Sequence, residues 1–402
     1  MSLKIRKLQS LISENGLFAD GDWVESKDQD PNGEVRLIQL ADIGTGEFID
    51  KSNRFMTMEK AKLLRCTFLE PGDILIARMP DPIGRACIFP GSNMPCVTVV
   101  DVCIVRPLSS DVDSRWLMHT INSKKFNNNI LNFVTGTTRQ RISRGNLAKL
   151  EIPVPSLPEQ KRIAAILDKA DSLRRKNQQA IQLADQFLRA VFLDMFGDPV
   201  TNPKGWDESL LSQLCNGKMN NGIFKKNEEY GEGKPVAWVG ELFGTHEIIF
   251  SEKTNKVTPS AKEIDKYGMN YGDILFCRSS LKLKGIGWSN VYLGKDNEAL
   301  FECHVIRMPP KLDYINPVFL NFQLRLPGIR RRVFAQAKTV TMTTIDQEGL
   351  GKVKVIVPDK ELQDKFEKIY RKIKGFVNKF DQQREADNLF NSLSQKAFTA
   401  EL

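Results

Sequence analysis

The chain has 402 residues, 41% of them hydrophobic, and a formal net charge of +9 at pH 7. Two to three domains fit this length, and the basic surplus favours an acidic partner, nucleic acid foremost. No run of about 18 apolar residues offers a transmembrane helix, and MSLKIRKLQS lacks a signal-peptide core, so a cytoplasmic protein without a membrane partner is expected. Seven cysteines without a CxxC pair point to reduced, mostly buried thiols rather than a disulfide framework.

In chain order, a β-rich stretch comes first. VRLIQL (35–40), DILIAR (73–78) and TVVDVCIV (98–105) have strand length and composition, with turns at Pro71-Gly72 and Pro90-Gly91, while 114–133 reads as helical. A mixed α/β module over 1–155 is therefore expected. A helix over 156–197 should follow, opening near Pro158, with Ser156 or the Glu159-Gln160 pair serving its free amides. A second mixed module over 198–358 carries DILFCR (273–278), a helical stretch at 316–337 and VKVIVP (353–358), and a second helix is expected over 359–402.

The second half repeats the first. PGDILIAR (71–78) returns as YGDILFCR (271–278), and Ile83-Gly84 as Ile286-Gly287. Ile142, Leu147 and Pro155 return as Ile345, Leu350 and Pro358, at a constant offset of 203 positions (345 − 142). The fold class expected is α+β: two mixed modules and two long helices, an internal repeat with approximate twofold symmetry.

Both helices carry an apolar stripe with spacings of three and four. In the first it runs Ile163, Ile166, Ala170, Leu173, Ala180, Ala184, Phe187 and Val191, with Asn177 as a polar member. In the second it runs Phe366, Ile369, Ile373, Phe376, Phe380 and Phe390, with Gln383 and Asp387. The two stripes predict an antiparallel coiled coil, a ruler of roughly 50–60 Å at 1.5 Å per residue. The competing reading is that each stripe merely docks on its own module.

No catalytic constellation is present. GxxxxGK[ST], HExxH and GxSxG are absent, and His119, His246 and His304 have no metal-ligand spacing. Asp73 and Asp273, each after a glycine turn, read as turn or strand-end carboxylates bonded to backbone. What the halves share is basic charge ahead of a Thr-rich loop. The first half has Lys124 and Lys125, then Thr137, Thr138, Arg139, Gln140, Arg141 and Arg144. The second has Lys282, Lys284 and Arg330, Arg331 and Arg332, then Lys338, Thr339, Thr341 and Thr343. Lysine and arginine neutralise phosphates, while arginine, glutamine and threonine read base edges. Arg78 and Arg278 end the paired strands, either pointing into the same groove or pairing a carboxylate in the interior.

The chain resembles a specificity subunit of a type I restriction-modification system. The resemblance rests on PGDILIAR and YGDILFCR, on TGTTRQRISRGNLAKLEIPVPSLPEQKRIAAIL with its weaker copy TTIDQEGLGKVKVIVPDKELQDKFEKIY, on FGDP, and on WDESLLSQL before the second module. It implies two target-recognition domains on double-stranded DNA, one per half of a split target, joined by two conserved helices. It also implies a chain without catalytic site, metal or cofactor. Adenine methylation would belong to two partner methyltransferase subunits holding S-adenosylmethionine, and cleavage to restriction subunits in the full complex. A non-catalytic remnant of a fused restriction-methyltransferase and a coiled-coil scaffold are the alternatives. The N-terminal segment shows no evident counterpart of WDESLLSQL.

Overall fold

The structure is a computed structural model that describes residues 4–108, 110–136, 139–243, 247–339 and 343–380. Thr137, Thr138, Thr341 and Phe390 lie outside the described residues, as do the side chains of Thr339 and Phe380. The chain divides into two compact units, and the division falls inside the first long helix, between Gln179 and Ala180.

In the first unit, the DILIAR run becomes strand Ile74–Ala77, buried along its whole length. It is a central strand of a four-stranded antiparallel sheet in the order Leu17–Asp20, Val102–Arg106, Ile74–Ala77, Ala86–Ile88. Successive side chains of a strand face opposite ways. Ile74 and Ile76 accordingly pack with Trp116, Ile130 and Ile163, while Leu75 and Ala77 pack with Ile38, Cys87 and Phe89 in a separate cluster. A three-stranded sheet, Phe55–Met56, Val35–Ile38 and Cys96–Thr98, pairs its last two strands in parallel. Helices Ser114–Ile121 and Lys124–Leu131 start at the side-chain caps Asp113 and Ser123.

The second unit has the same strand order. Asn220–Asn221, Val305–Met308, Ile274–Cys277 and Ser289–Val291 form the antiparallel sheet. Lys256–Val257, Tyr230–Ala237 and Leu300–Phe301 form the smaller one, again with one parallel pair. Ile274 and Phe276 feed one core, and Leu275 and Cys277 the other. The repeated Ile-Gly has a steric reason: Gly84 and Gly287 both have positive φ (84° and 56°). A Cβ there would meet Ile130 Cδ1 at 2.2 Å or Val333 Cγ1 at 2.4 Å, so a helix packs directly on the glycine.

The N-terminal segment does have a counterpart, contrary to the sequence reading. Lys4–Lys7 pairs antiparallel with Glu151–Val154, as Glu208–Leu210 pairs with Lys354–Ile356. Each short strand runs into a single helical turn, Leu8–Leu11 or Leu211–Leu214. Only the two buried leucines of each turn, Leu8 and Leu11 against Leu211 and Leu214, are retained, too little to read in one-dimensional comparison.

Each long helix is fastened to its unit by a fully buried glutamine in its first turn. Gln160 Oε1 accepts from the Asp113 amide at 2.9 Å, and its Nε2 donates to the carbonyls of Asp111 and Pro155 at 2.9 and 3.0 Å. Gln363 repeats this with the Asn316 amide at 2.8 Å and the carbonyls of Tyr314 and Pro358 at 3.2 and 2.6 Å. One amide side chain thus satisfies an N-terminal helix donor and two loop carbonyls in each half.

The first long helix is Leu157–Phe196, 40 residues, and the second is Lys360–Phe380. Their buried faces depart from the predicted seam. Ile163, Ala164 and Leu167 belong to the first unit's core, and Leu188, Phe192 and Phe196 to the second's. Ile166 and Ala170 are half-buried, while Leu173 and Phe187 are each 51% exposed. In the second helix Phe366 and Tyr370 are buried, Ile369 and Ile373 are half-buried and Phe376 is exposed. A straight α-helix drifts about 20° per heptad against a 3.5-residue repeat, so each end takes the phase its own core requires. Within the second unit the two helices run antiparallel: Phe192 meets the Phe366 ring at 5.5 Å, and Asp185 pairs with Lys374 at 3.1 Å.

Candidate nucleic-acid interface

In both units the candidate cationic residues gather where the DIL strand ends. In the first, the Arg78 carbonyl accepts from the Ile142 amide at 3.0 Å, and Thr135 and Arg141 exchange two backbone hydrogen bonds of 2.9 Å. Gly136 (φ +94°) follows the Thr135 side of that bridge, and Arg139, Gln140 and Arg141 on its other side are exposed. In the second unit the Arg278 carbonyl accepts from the Ile345 amide at 3.0 Å. Lys338–Thr339 pairs with Thr343–Thr344, which pairs in turn with Ser279–Ser280. A guanidinium-rich loop and a lysine-threonine loop thus hang from the same place on the same fold.

The predicted site residues divide sharply. Lys124, Lys125, Arg139, Gln140, Arg141, Arg278, Lys282, Lys284, Arg331 and Lys338 are exposed. Lys338 also pairs with Asp346 at 3.1 Å, and Arg144 is half engaged through the Phe18 carbonyl at 3.0 Å and Asp20 at 3.7 Å. Four expectations fail. Arg78 is 3% exposed and pairs with Asp20 at 3.1 Å, the interior alternative. Arg330 is 6% exposed and donates to the carbonyls of Gly287, Lys284 and Ile286 at 2.6, 3.0 and 2.6 Å. Its guanidinium lies over Trp288 and Phe334, and burial pushes its pKa down to about 10. Arg332 turns back to the carbonyls of Lys354 and Val200 and to Glu208. Thr343 is buried. Three successive arginines on a helix point about 100° apart, so Arg331 alone of this run faces solvent.

Asp73 and Asp273 are strand-end carboxylates, as their turn context predicts. Asp73 accepts from the Glu70 amide at 2.8 Å and takes two bonds from Arg106 at 2.6 and 2.8 Å. Asp273 accepts from the Asn270 amide at 2.8 Å, but Arg307 stands off at 3.7 Å and spends a donor on the Gly268 carbonyl. Burial without a close cation pushes Asp273 up to about 6.

Glu302, Cys303 and His304 gather in the turn beneath Arg278, their ligand-type atoms within 4.8 Å. They satisfy one another: Glu302 bonds His304 Nδ1 at 2.6 Å and the Cys303 thiol at 2.9 Å. Burial and that carboxylate push the thiol up to about 11. All seven cysteines are free and five are buried. Among the described residues no helix is long and apolar enough to cross a membrane.

Sequence reasoning missed Arg85, a buried guanidinium in the first unit. It donates to the carbonyls of Ile43, Met79, Pro82 and Leu40 at 2.7–3.1 Å. It therefore braces the loop after Arg78 as Arg330 braces the loop after Arg278. The two arginines come from unrelated chain positions, so no motif links them.

Residues 18–183 match the family model of the type I restriction modification DNA specificity domain. The chain is similar to type I restriction-modification specificity subunits. Among curated proteins, it is 22% identical over 322 residues to the type I restriction enzyme EcoKI specificity subunit of Escherichia coli (strain K12), spanning 74% of this chain and 68% of that protein. It is 24% identical over 309 residues to the StySPI specificity subunit of Salmonella potsdam, spanning 72% of this chain and 66% of that one. The crystal structure of the type I restriction-modification system S subunit from M. genitalium has the same fold, with a TM-score of 0.61 at 16% identity over 99% of this chain and 96% of that one.

Proposed function

We propose that this chain is the sequence-reading, non-catalytic subunit of a type I restriction-modification complex. Each unit reads one half of a split DNA target. The observation that carries this reading is the recurrence of an exposed cationic loop at the end of the same central strand in both units: Arg139–Gln140–Arg141 in one, Lys338 with Arg278 and Lys284 in the other. Arginine and glutamine supply forked donors for guanine and adenine edges in the major groove, and lysine supplies phosphate contacts.

The two long helices are proposed as the conserved spacer, an antiparallel coiled coil relating the units by pseudo-twofold symmetry. Two methyltransferase subunits, which hold the S-adenosylmethionine and methylate adenine, are the proposed partners, with restriction subunits in the full complex, in the cytoplasm. No observation favours a fused-enzyme remnant or a scaffold. Methylated adenines mapped in the source genome with and without this gene test the reading. One bipartite motif should vanish on deletion, and an unchanged methylation pattern would overturn the proposal. Methyl transfer by the purified chain without partners would overturn its non-catalytic part.

A further inference from the structure

The loop Ser279–Gly285 of the second unit carries an apolar tip where solubility disfavours one. Leu281 is 87% exposed and Leu283 52%, alternating with the exposed Lys282 and Lys284. Two displayed leucines two residues apart, each beside an exposed lysine, offer a partner an apolar surface within a cationic frame. The flanking lysines select an anionic partner.

The tip is also held in place. Ser280 Oγ donates to the Lys282 carbonyl at 2.9 Å, and the Gly285 amide donates to that carbonyl at 2.8 Å. Arg330 grips the loop's far side through the carbonyls of Lys284, Ile286 and Gly287. Ser279–Ser280 is itself a strand paired with Thr343–Thr344, so the tip projects beside the proposed reading loop. A buried cation satisfying three carbonyls is a costly device for a loop whose shape does not matter.

We infer that Leu281 is an apolar wedge that enters the half-site read by this unit and parts a base step, with Lys282 and Lys284 on the flanking phosphates and Arg330 as a positioning residue. Leucine is among the side chains that unstack base steps in this way, and the lost stacking is offset by the added contact. The first unit's loop is braced by Arg85, but its tip is Pro80-Asp81-Pro82, exposed and acidic. The carboxylate of Asp81 would face phosphate, so the wedge is assigned to the second unit alone.

This inference rests on the proposed DNA-reading function, and one assay separates the two. The chain in complex with its methyltransferase subunits is titrated with target duplexes carrying 2-aminopurine at successive positions of the half-site. Sequence-specific binding with a fluorescence rise at one step is expected. Leu281→Ala should abolish that rise and weaken binding of the target roughly tenfold, while Lys282→Ala should keep the rise. Arg330→Met, if folded by circular dichroism, should reduce the rise without changing the salt dependence of binding. Specific binding without a rise at any position, or a rise that survives Leu281→Ala, overturns the wedge. Absence of specific binding by the wild-type complex instead overturns the functional reading.

Discussion

Arg330, Arg331 and Arg332 are chemically identical and adjacent, and their surroundings give them three different tasks. Arg331→Ala should weaken binding to every DNA sequence and flatten the log K against log salt slope by about one unit. Arg330→Met should leave that slope alone and lower the unit's stability by about 1–3 kcal/mol for each carbonyl left unsatisfied in the interior, measured by urea denaturation. Equal salt slopes for wild type and Arg331→Ala would remove that residue from the interface. In the other unit, alanine at Arg139, Gln140 and Arg141 should cost roughly 1–3 kcal/mol per base-reading pair at one half-site only. Binding to duplexes altered in either half tests this, and equal losses at both halves would refute it. Asp273 bears on pH. Its folded pKa of about 6 lies above the unfolded value near 3.9. Between those values the unfolded chain gives up the proton that the folded one keeps, so stability falls as pH rises from about 4 to 6 and stays lowered above. Asp273→Asn keeps an oxygen for the Asn270 amide and should flatten that fall by up to roughly 2–3 kcal/mol. Superimposable stability–pH curves for the two proteins would show that the buried carboxylate is compensated after all.

At the scale of the element, the first long helix is buried at both ends and most exposed in the middle, and the second is anchored through its first turns. Gln160 and Gln363 each tie a first turn to two loops with three hydrogen bonds. Methionine at either position keeps the volume, removes all three bonds and strands an amide and two carbonyls, so a loss of about 2–4 kcal/mol is expected in chemical denaturation. Glutamate should serve no better, since its carboxylate faces the two carbonyls that the amide now donates to. A methionine variant with wild-type stability would mean that water replaces the clamp. The heptad spacing was legible in the sequence, but the phase was not. Leu188 and Tyr370 are buried although neither was expected in the stripe, while Phe187 and Phe376 are exposed, because packing on cores set by distant strands fixes which face turns inward.

At the scale of the molecule, the two units carry separate cores, and each buries its own copy of the DIL strand. Exchanging residues 1–150 for the matching module of a relative should therefore alter one half of the methylated motif and leave the other intact. Methylome mapping reads the result, and a motif changed in both halves would mean that the units do not read independently.

The sequence by itself determined the duplication, the order of modules and helices, the absence of familiar catalytic motifs and the resemblance to specificity subunits. These lie in local patterns: a turn glycine before a strand, a three-four stripe, an apolar run of strand length. The strand-end role of Asp73 and Asp273 was equally local, since each carboxylate bonds an amide three residues before it. Which cations face solvent was decided only by tertiary structure. Arg78 and Arg278 end matching strands, yet Asp20 from a distant strand draws one inward while the other stays exposed. Charge is a property of a residue, but its availability to a phosphate depends on the carbonyls and carboxylates that folding brings beside it, and those partners are spread across the chain.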